Sequence, residues 1–241
     1  ATELPQYIQD MIPYDERNLA LQAVRELQSY TSCKAGAAIH LLKRGPAAAG
    51  LGGGSADAAA MLKGLNKFWD LRLTEDELLT IGGKLGSDVP FLLKGGTARG
   101  TGRGEIMEFH ESPAPHWLLI VKPEISVSTG IAYNKFNGIS QFTSTTIDHV
   151  LSALKASDLQ RAFTVSGNTF EELLFPEYEE LQQCKDFFTT RGYNTIMTGS
   201  GPTMVVLLDK ATDALALQEE IKANGHNWLS LITKTCSQED V

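Results

Sequence analysis

The stretch GPAAAGLGGGSADAAAM, residues 45–61, decides how the rest of the chain is read. Four glycines, Gly50, Gly52, Gly53 and Gly54, stand directly before an alanine run that continues through Leu62, Leu65, Phe68 and Trp69 at helical spacing. Ordering a glycine costs more backbone entropy than ordering any other residue, so the cluster needs a reason beyond reversing the chain. The first turn of a helix leaves its amide N–H groups unpaired and carries partial positive charge. Glycines in front of it let an anion reach those amides with no Cβ in the way. Ser55 can cap the helix or turn its hydroxyl to a phosphate or a metal, and the alanines let the helix pack closely. Two common phosphate loops are excluded. A Walker A loop needs a lysine before Ser55, where Gly54 stands, and the dinucleotide fingerprint needs its third glycine where Ser55 stands.

Upstream of the loop, Asp15-Glu16-Arg17 opens a helical pattern through Leu19, Ala20, Ala23, Val24 and Leu27. Residues 37–42 read as a strand with Ile39 and Leu41 on one side. Downstream, Thr74-Glu75-Asp76-Glu77 is a capping box opening a helix that Gly86 stops. Pro90 biases Val89 to extended geometry, so residues 91–93 read as a short strand before a turn at Gly95-Gly96. The proline-punctuated Ser112-Pro113-Ala114-Pro115 is the expected domain boundary, giving domains 1–112 and 113–241. Beyond it come strand 117–121, helical patterns 146–155, 159–174 and 177–190, and strand 193–197. A second glycine cluster, Thr198-Gly199-Ser200-Gly201, precedes strand 204–208, helix 211–223 and strand 228–233. The second half therefore reads as an α+β layer with helices on one face of a sheet.

Composition narrows the classes. A net charge of −8 over 241 residues argues against a broad nucleic-acid surface, which needs clustered Lys and Arg. The longest apolar runs are strand-length and too short to cross a bilayer. Cys33, Cys184 and Cys236 match no metal-ligand spacing and read as reduced thiols. The opening ATELPQYIQDM lacks the basic and apolar regions of a signal peptide, and it lacks an initiator Met. The expected location is the cytoplasm, or a plastid in a plant.

Four motifs in order, GLGGGSADAA (50–59), GLNKFWDL (64–71), GSDVPF (86–91) and TGRGE (101–105), carry a resemblance that runs from about residue 15 to 204. The loop resembles the ATP loop of the GHMP kinase superfamily, and the set is similar to its 4-diphosphocytidyl-2-C-methyl-D-erythritol kinase family. The resemblance implies an α+β, two-domain GHMP kinase fold. Its N-terminal ATP-binding domain, incomplete at its start, would be like the second domain of ribosomal protein S5, and its C-terminal domain ferredoxin-like. It implies ATP-dependent phosphorylation of the acceptor's 2-hydroxyl in the non-mevalonate isoprenoid pathway, with ATP and Mg²⁺ as cofactors. A GHMP kinase of the homoserine or mevalonate type, or a non-catalytic ligand sensor on the same fold, are the alternatives.

By the same resemblance, Asp88 falls at the catalytic aspartate, and its carboxylate could take or orient the acceptor's hydroxyl proton. Pro46, Ala47, Ala48, Ala49, Gly50, Leu51, Gly52, Gly53, Gly54, Ser55 and Ala56 would cradle the ATP phosphates, with Ser55 as a Mg²⁺ contact. Asn18 and Lys43 correspond to positions near the adenine. Thr129 and Tyr133, in Ser126–Tyr133, match the segment lining the cytidine pocket, where a Tyr face can stack on the base. Gly199, Ser200 and Gly201 belong to a second glycine turn closing over the acceptor. Arg99 and Arg103 could neutralise the diphosphate but are equally loop charges. The expected partner is a small cytidine diphosphate, with no nucleic acid and no membrane, in a monomer or homodimer. Family members also open with a Pro-Ala-Lys-Ile-Asn-Leu-like strand and a Gly-Tyr-His motif. Neither occurs here, and their roles are not moved onto Lys43 or His40. The expectation is that this segment precedes Ala1 in the full protein; a shortened, impaired homologue is the other reading.

Overall fold

A computed structural model describes residues 12–102, 104–136 and 145–237; the opening residues 1–11, read above for a leader, and Arg103 lie outside them. The chain divides into two compact units. Of the described residues, the first unit holds those of 12–47 and 52–110, and the second those of 48–51 and 111–237.

In the first unit, α1 (Leu19–Thr31) starts at Asn18, whose side chain accepts a hydrogen bond from the Ala20 amide. The acidic and basic residues 15–17 therefore precede the helix instead of opening it. Helix α2 (Gly53–Phe68) follows the glycine loop, and α1 packs along it. Ala23, Leu27, Ala58, Ala59, Leu62 and Leu65 share one buried cluster, the small alanines allowing the two backbones to approach. Helix α3 (Glu75–Leu85) has the expected capping box: the Thr74 hydroxyl accepts from the Glu77 amide at 3.3 Å, and Glu77 Oε2 accepts from the Thr74 amide at 2.8 Å. Those bonds hold the Glu77 carboxyl below its ordinary range.

The residues read as strand 91–93 belong instead to helix α4 (Val89–Lys94). Pro90 lies in its first turn, where a missing N–H costs nothing and the fixed φ suits a helix. Gly82 makes room for it, since a Cβ there would stand 3.0 Å from both Leu93 Cδ1 and Val89 Cγ1. The strand expected at residues 37–42 is also absent: residues 32–44 form neither helix nor strand. No described strand lies beside them to complete a ladder, and Ile39, Leu41 and Leu42 are exposed. The carbonyls of Ala35 and Gly36 are met by the side chains of Gln28 and Trp69. A hairpin of β1 (Thr97–Thr101) and β2 (Ile106–His110), unforeseen from the sequence, ends the unit.

The second unit contains β3 (Trp117–Lys122), α5 (Thr129–Phe136), α6 (Thr145–Lys155), α7 (Leu159–Val165), α8 (Thr169–Leu174) and α9 (Glu179–Thr189). Then follow β4 (Thr195–Met197), β5 (Met204–Leu208), α10 (Ala211–Ala223) and β6 (Leu229–Lys234). The strands form one antiparallel sheet in the order β4-β5-β3-β6. With α9 and α10 as the two crossover helices, this is a ferredoxin-like βαββαβ arrangement, with α5–α8 inserted in the first crossover. Alternate residues Leu119 and Val121, and Met204, Val206 and Leu208, share a core with Leu181, Cys184 and Phe188 of α9 and Leu217 and Ile221 of α10. The other face is covered too. Leu118 and Leu207 pack with Ala153, Leu159 and Ala162 of α6 and α7. Helices thus lie on both faces, as the unbroken apolar run of β3 requires. The pattern read as one helix over 159–174 is two, because Gly167 and Asn168 interrupt it and Asn168 caps α8. All three cysteines are free. No described helix is long and apolar enough to cross a membrane.

Candidate active site

The residues singled out above fall into two groups, one in each unit. In the first unit the centre is the start of α2. Its N-cap is Gly52, in the left-handed region at φ 64° and without a side-chain cap, so of the two roles open to Ser55 the capping one is not realised. Ser55 is the third residue of the helix, after Gly53 and Gly54, and its hydroxyl has no hydrogen-bond partner among the described residues. The helix ladder begins with the Ala56 amide donating to Gly52 O at 2.9 Å. The amides of Gly53, Gly54 and Ser55 have no intrachain acceptor among the described residues, as a helix start without a side-chain cap dictates. They form a cluster of donors backed by the positive end of the helix dipole.

Asp88 comes to this cluster from the other side. It occupies the N-cap position of α4 but makes no capping bond, and the residue is exposed. Its Oδ2 lies 3.8 Å from where a Cβ on Gly52 would be, and Ser55 Oγ lies 3.9 Å from one on Gly86. The starts of α2 and α4 therefore bring Gly52, Ser55 and Asp88 together, with a free carboxylate beside free amides. The carboxylate is an acceptor for a hydroxyl proton, and the amides and helix end are donors for an anion, which together suit phosphoryl transfer.

Lys43 and Asn18 are differently placed. Lys43 Nζ pairs with Asp57 Oδ2 at 2.6 Å and donates to Gly53 O at 3.2 Å, against the first turn of α2. Asn18 uses both ends of its amide at the start of α1, accepting from the Ala20 amide at 3.0 Å and donating to Pro13 O, in the segment before the helix, at 2.8 Å. Its neighbour Leu19 lies 3.5 Å from where a Cβ on Gly54 would be.

In the second unit, Ala48–Leu51 meet the second glycine turn. The Thr198 hydroxyl donates to Gly50 O at 3.1 Å. Gly50 (φ +70°) and Gly199 (φ +54°) press so closely that a Cβ on Gly50 would stand 2.4 Å from Thr198 O, and one on Gly199 3.0 Å from Gly50 O. Ser200 is buried, and its hydroxyl shares a 3.2 Å hydrogen bond with that of Thr129. Tyr133, one turn on, is 50 % exposed and rests edge-on against Phe170 at 5.1 Å between ring centres, leaving ring surface for a ligand.

Two residues of this unit were not singled out from the sequence. Asn168 donates to Met197 O at 2.7 Å and Gly199 O at 2.8 Å, bracing the second glycine turn. Buried Lys122 donates to the carbonyls of Pro123 and Ile125, shaping the link into α5, and burial pulls its pKa below the usual lysine range. Helix-cap chemistry at Asn168 was a readable signal; a lysine ending an apolar strand was not.

Comparison with known proteins extends this geometry. The profile for the GHMP kinases N terminal domain matches residues 18–96, and that for GHMP kinases C terminal matches 150–227. A 4-diphosphocytidyl-2-C-methyl-D-erythritol kinase of Exiguobacterium sibiricum is 41 % identical over 212 residues, covering 88 % of this chain and 74 % of that protein. One of Geobacillus kaustophilus is 42 % identical over 199 residues, 82 % of this chain and 68 % of its own. A crystal structure of 4-(cytidine 5'-diphospho)-2C-methyl-D-erythritol kinase matches with a TM-score of 0.76 at 26 % identity, over 93 % of this chain and 81 % of that one. Homoserine kinase from Cytophaga hutchinsonii shares the fold, with a TM-score of 0.71 at 19 % identity over 94 % and 78 % of the two chains. With its glycine loop, ferredoxin-like unit and relatives in agreement, the chain belongs to the 4-diphosphocytidyl-2-C-methyl-D-erythritol kinase family, within the GHMP kinases.

Proposed function

We propose that this protein transfers the γ-phosphate of ATP to the 2-hydroxyl of 4-diphosphocytidyl-2-C-methyl-D-erythritol, a step towards isoprenoid precursors. The reaction type rests on one observation: the unpaired Asp88 carboxylate beside Gly52, at a helix start with free amides. The acceptor is supported by the relatives of that name at 41–42 % identity over most of the chain. Residues 1–112 act as the nucleotide domain and 113–241 as its C-terminal partner in this reading.

Phosphoryl transfer depends on positioning and charge stabilisation more than on covalent help from the protein. Residues 46–56 hold the ATP phosphates through backbone N–H groups, the donors at Gly53, Gly54 and Ser55 being free to do so. Asp88 accepts the proton of the acceptor hydroxyl as its oxygen bonds to the γ-phosphorus. The bond from that phosphorus to the β–γ bridging oxygen breaks, and ADP leaves. Mg²⁺, when bound with ATP, neutralises charge on the phosphate oxygens. The free Ser55 hydroxyl is an oxygen donor at the loop and fits such an ion, which keeps most of its ligands from phosphate and water. Tyr133 offers its exposed ring to the cytosine, and Thr129 with Gly199, Ser200 and Gly201 frames the acceptor. Asn18 serves the nucleotide side by fixing the start of α1.

The test is an ADP-release assay on the wild-type protein with the cytidylated acceptor, homoserine and mevalonate in parallel. Turnover with the cytidylated acceptor alone is expected. Turnover only with homoserine or mevalonate, or ATP binding with no turnover on any of the three, overturns the reading.

A further inference from the structure

The glycine loop is anchored at both ends by one contact. Lys43 and Asp57, fourteen positions apart, flank it, and their charged groups meet at 2.6 Å with side chains only 16 % and 19 % exposed. The same ammonium donates to the carbonyl of Gly53, the first residue of α2. Two other ion pairs of the first unit differ in kind. Arg17–Asp15 and Arg72–Asp70 link residues two apart, with every side chain more than half exposed. Exposed local pairs of that sort contribute little, whereas a sheltered pair is screened less and holds one geometry.

The segment between Lys43 and the start of α2 contains no helix or strand, and it includes Gly50 and Gly52 in left-handed conformations that a free chain samples among many others. Tying its ends removes part of that freedom before any ligand arrives. We propose that Lys43 and Asp57 form a clasp that pre-organises the loop, making Asp57 a positioning residue for the nucleotide. Lys43 then acts through Gly53 and Asp57, and its ammonium is not spent on the adenine ring. This rests on the reading of the loop as the nucleotide site.

The test compares the wild type with the near-isosteric Asp57→Asn, with Lys43→Gln and with the double variant. Three readouts are taken: Kd for Mg·ATP, KM for the acceptor, and hydrogen–deuterium exchange without nucleotide. The clasp predicts that Asp57→Asn weakens ATP binding about tenfold and speeds exchange in peptides covering residues 46–56. Acceptor KM, the melting temperature and exchange in α3 stay near the wild-type values. The double variant binds ATP no worse than the weaker single variant, because both break one interaction. Unchanged loop exchange and ATP affinity would overturn the clasp. So would a general loss, with both ligands weakened alongside a fall in melting temperature. If the wild type binds ATP but leaves the cytidylated acceptor unmodified, the functional reading fails, while exchange and ATP affinity still judge the clasp.

Discussion

Gly50 and Gly54 stand four residues apart in one glycine cluster, the first in the loop and the second in the first turn of α2, and are glycine for opposite reasons. Gly50 is crowded: its φ is +70°, and an added methyl would lie 2.4 Å from Thr198 O. Gly54 is open, with ordinary backbone geometry and Leu19 Cδ1 at 3.5 Å as the neighbour a methyl would meet. Gly53 resembles Gly54, with only Lys43 Nζ at 3.5 Å. A glycine that packing demands reports on the fold. A glycine at a helix start with room for a side chain costs helix stability without relieving any clash, so its use lies with what approaches from outside.

The largest expected effect concerns the group that faces the open end. Asp88→Asn should lower kcat about 10²- to 10⁴-fold, the range for losing a positioned proton acceptor. Its melting temperature should match the wild type, since Asp88 is exposed and makes no side-chain capping bond. A variant that keeps kcat would separate Asp88 from the chemistry and leave the open glycines as the site's main feature. At the crowded end, Gly50→Ala should destabilise the protein by about 3 kcal/mol, combining left-handed strain with overpacking against Thr198. Urea unfolding of the two proteins measures this. A loss below about 1 kcal/mol would mean that the two glycine turns slide apart easily, and the contrast with Gly54 would weaken.

The same contrast shows what a sequence can carry. Local rules read well. Thr74 and Glu77 announced their capping box, and the apolar runs of β3 and β5 announced buried strands. Errors arose where a local cue had two outcomes. Pro90 biases its predecessor towards extended backbone, yet it also suits a first helical turn, and the room left by Gly82 allowed α4. Residues 37–42 alternate like a strand, but a strand needs a partner that its own residues cannot specify. The site divided the same way. Glycine clustering and the resemblance pointed to a phosphate loop, while the approach of Asp88 to Gly52 across 36 positions is a product of helix packing. The resemblance puts Lys43 near the adenine; its pairing with Asp57 is a contact that its local sequence does not show.

If the open part of the loop serves the nucleotide, Gly54→Ala should separate ATP binding from stability. Mg·ATP is titrated calorimetrically into this variant and the wild type, and thermal unfolding is recorded on the same samples. The variant should be as stable as the wild type or more so by about 0.5–1 kcal/mol, because Ala is the better helix former. Its ATP binding should be weakened about tenfold, because the methyl stands where phosphate meets backbone. Wild-type ATP affinity in a stable variant would contradict that role of the loop, as would a stability loss like that of Gly50→Ala.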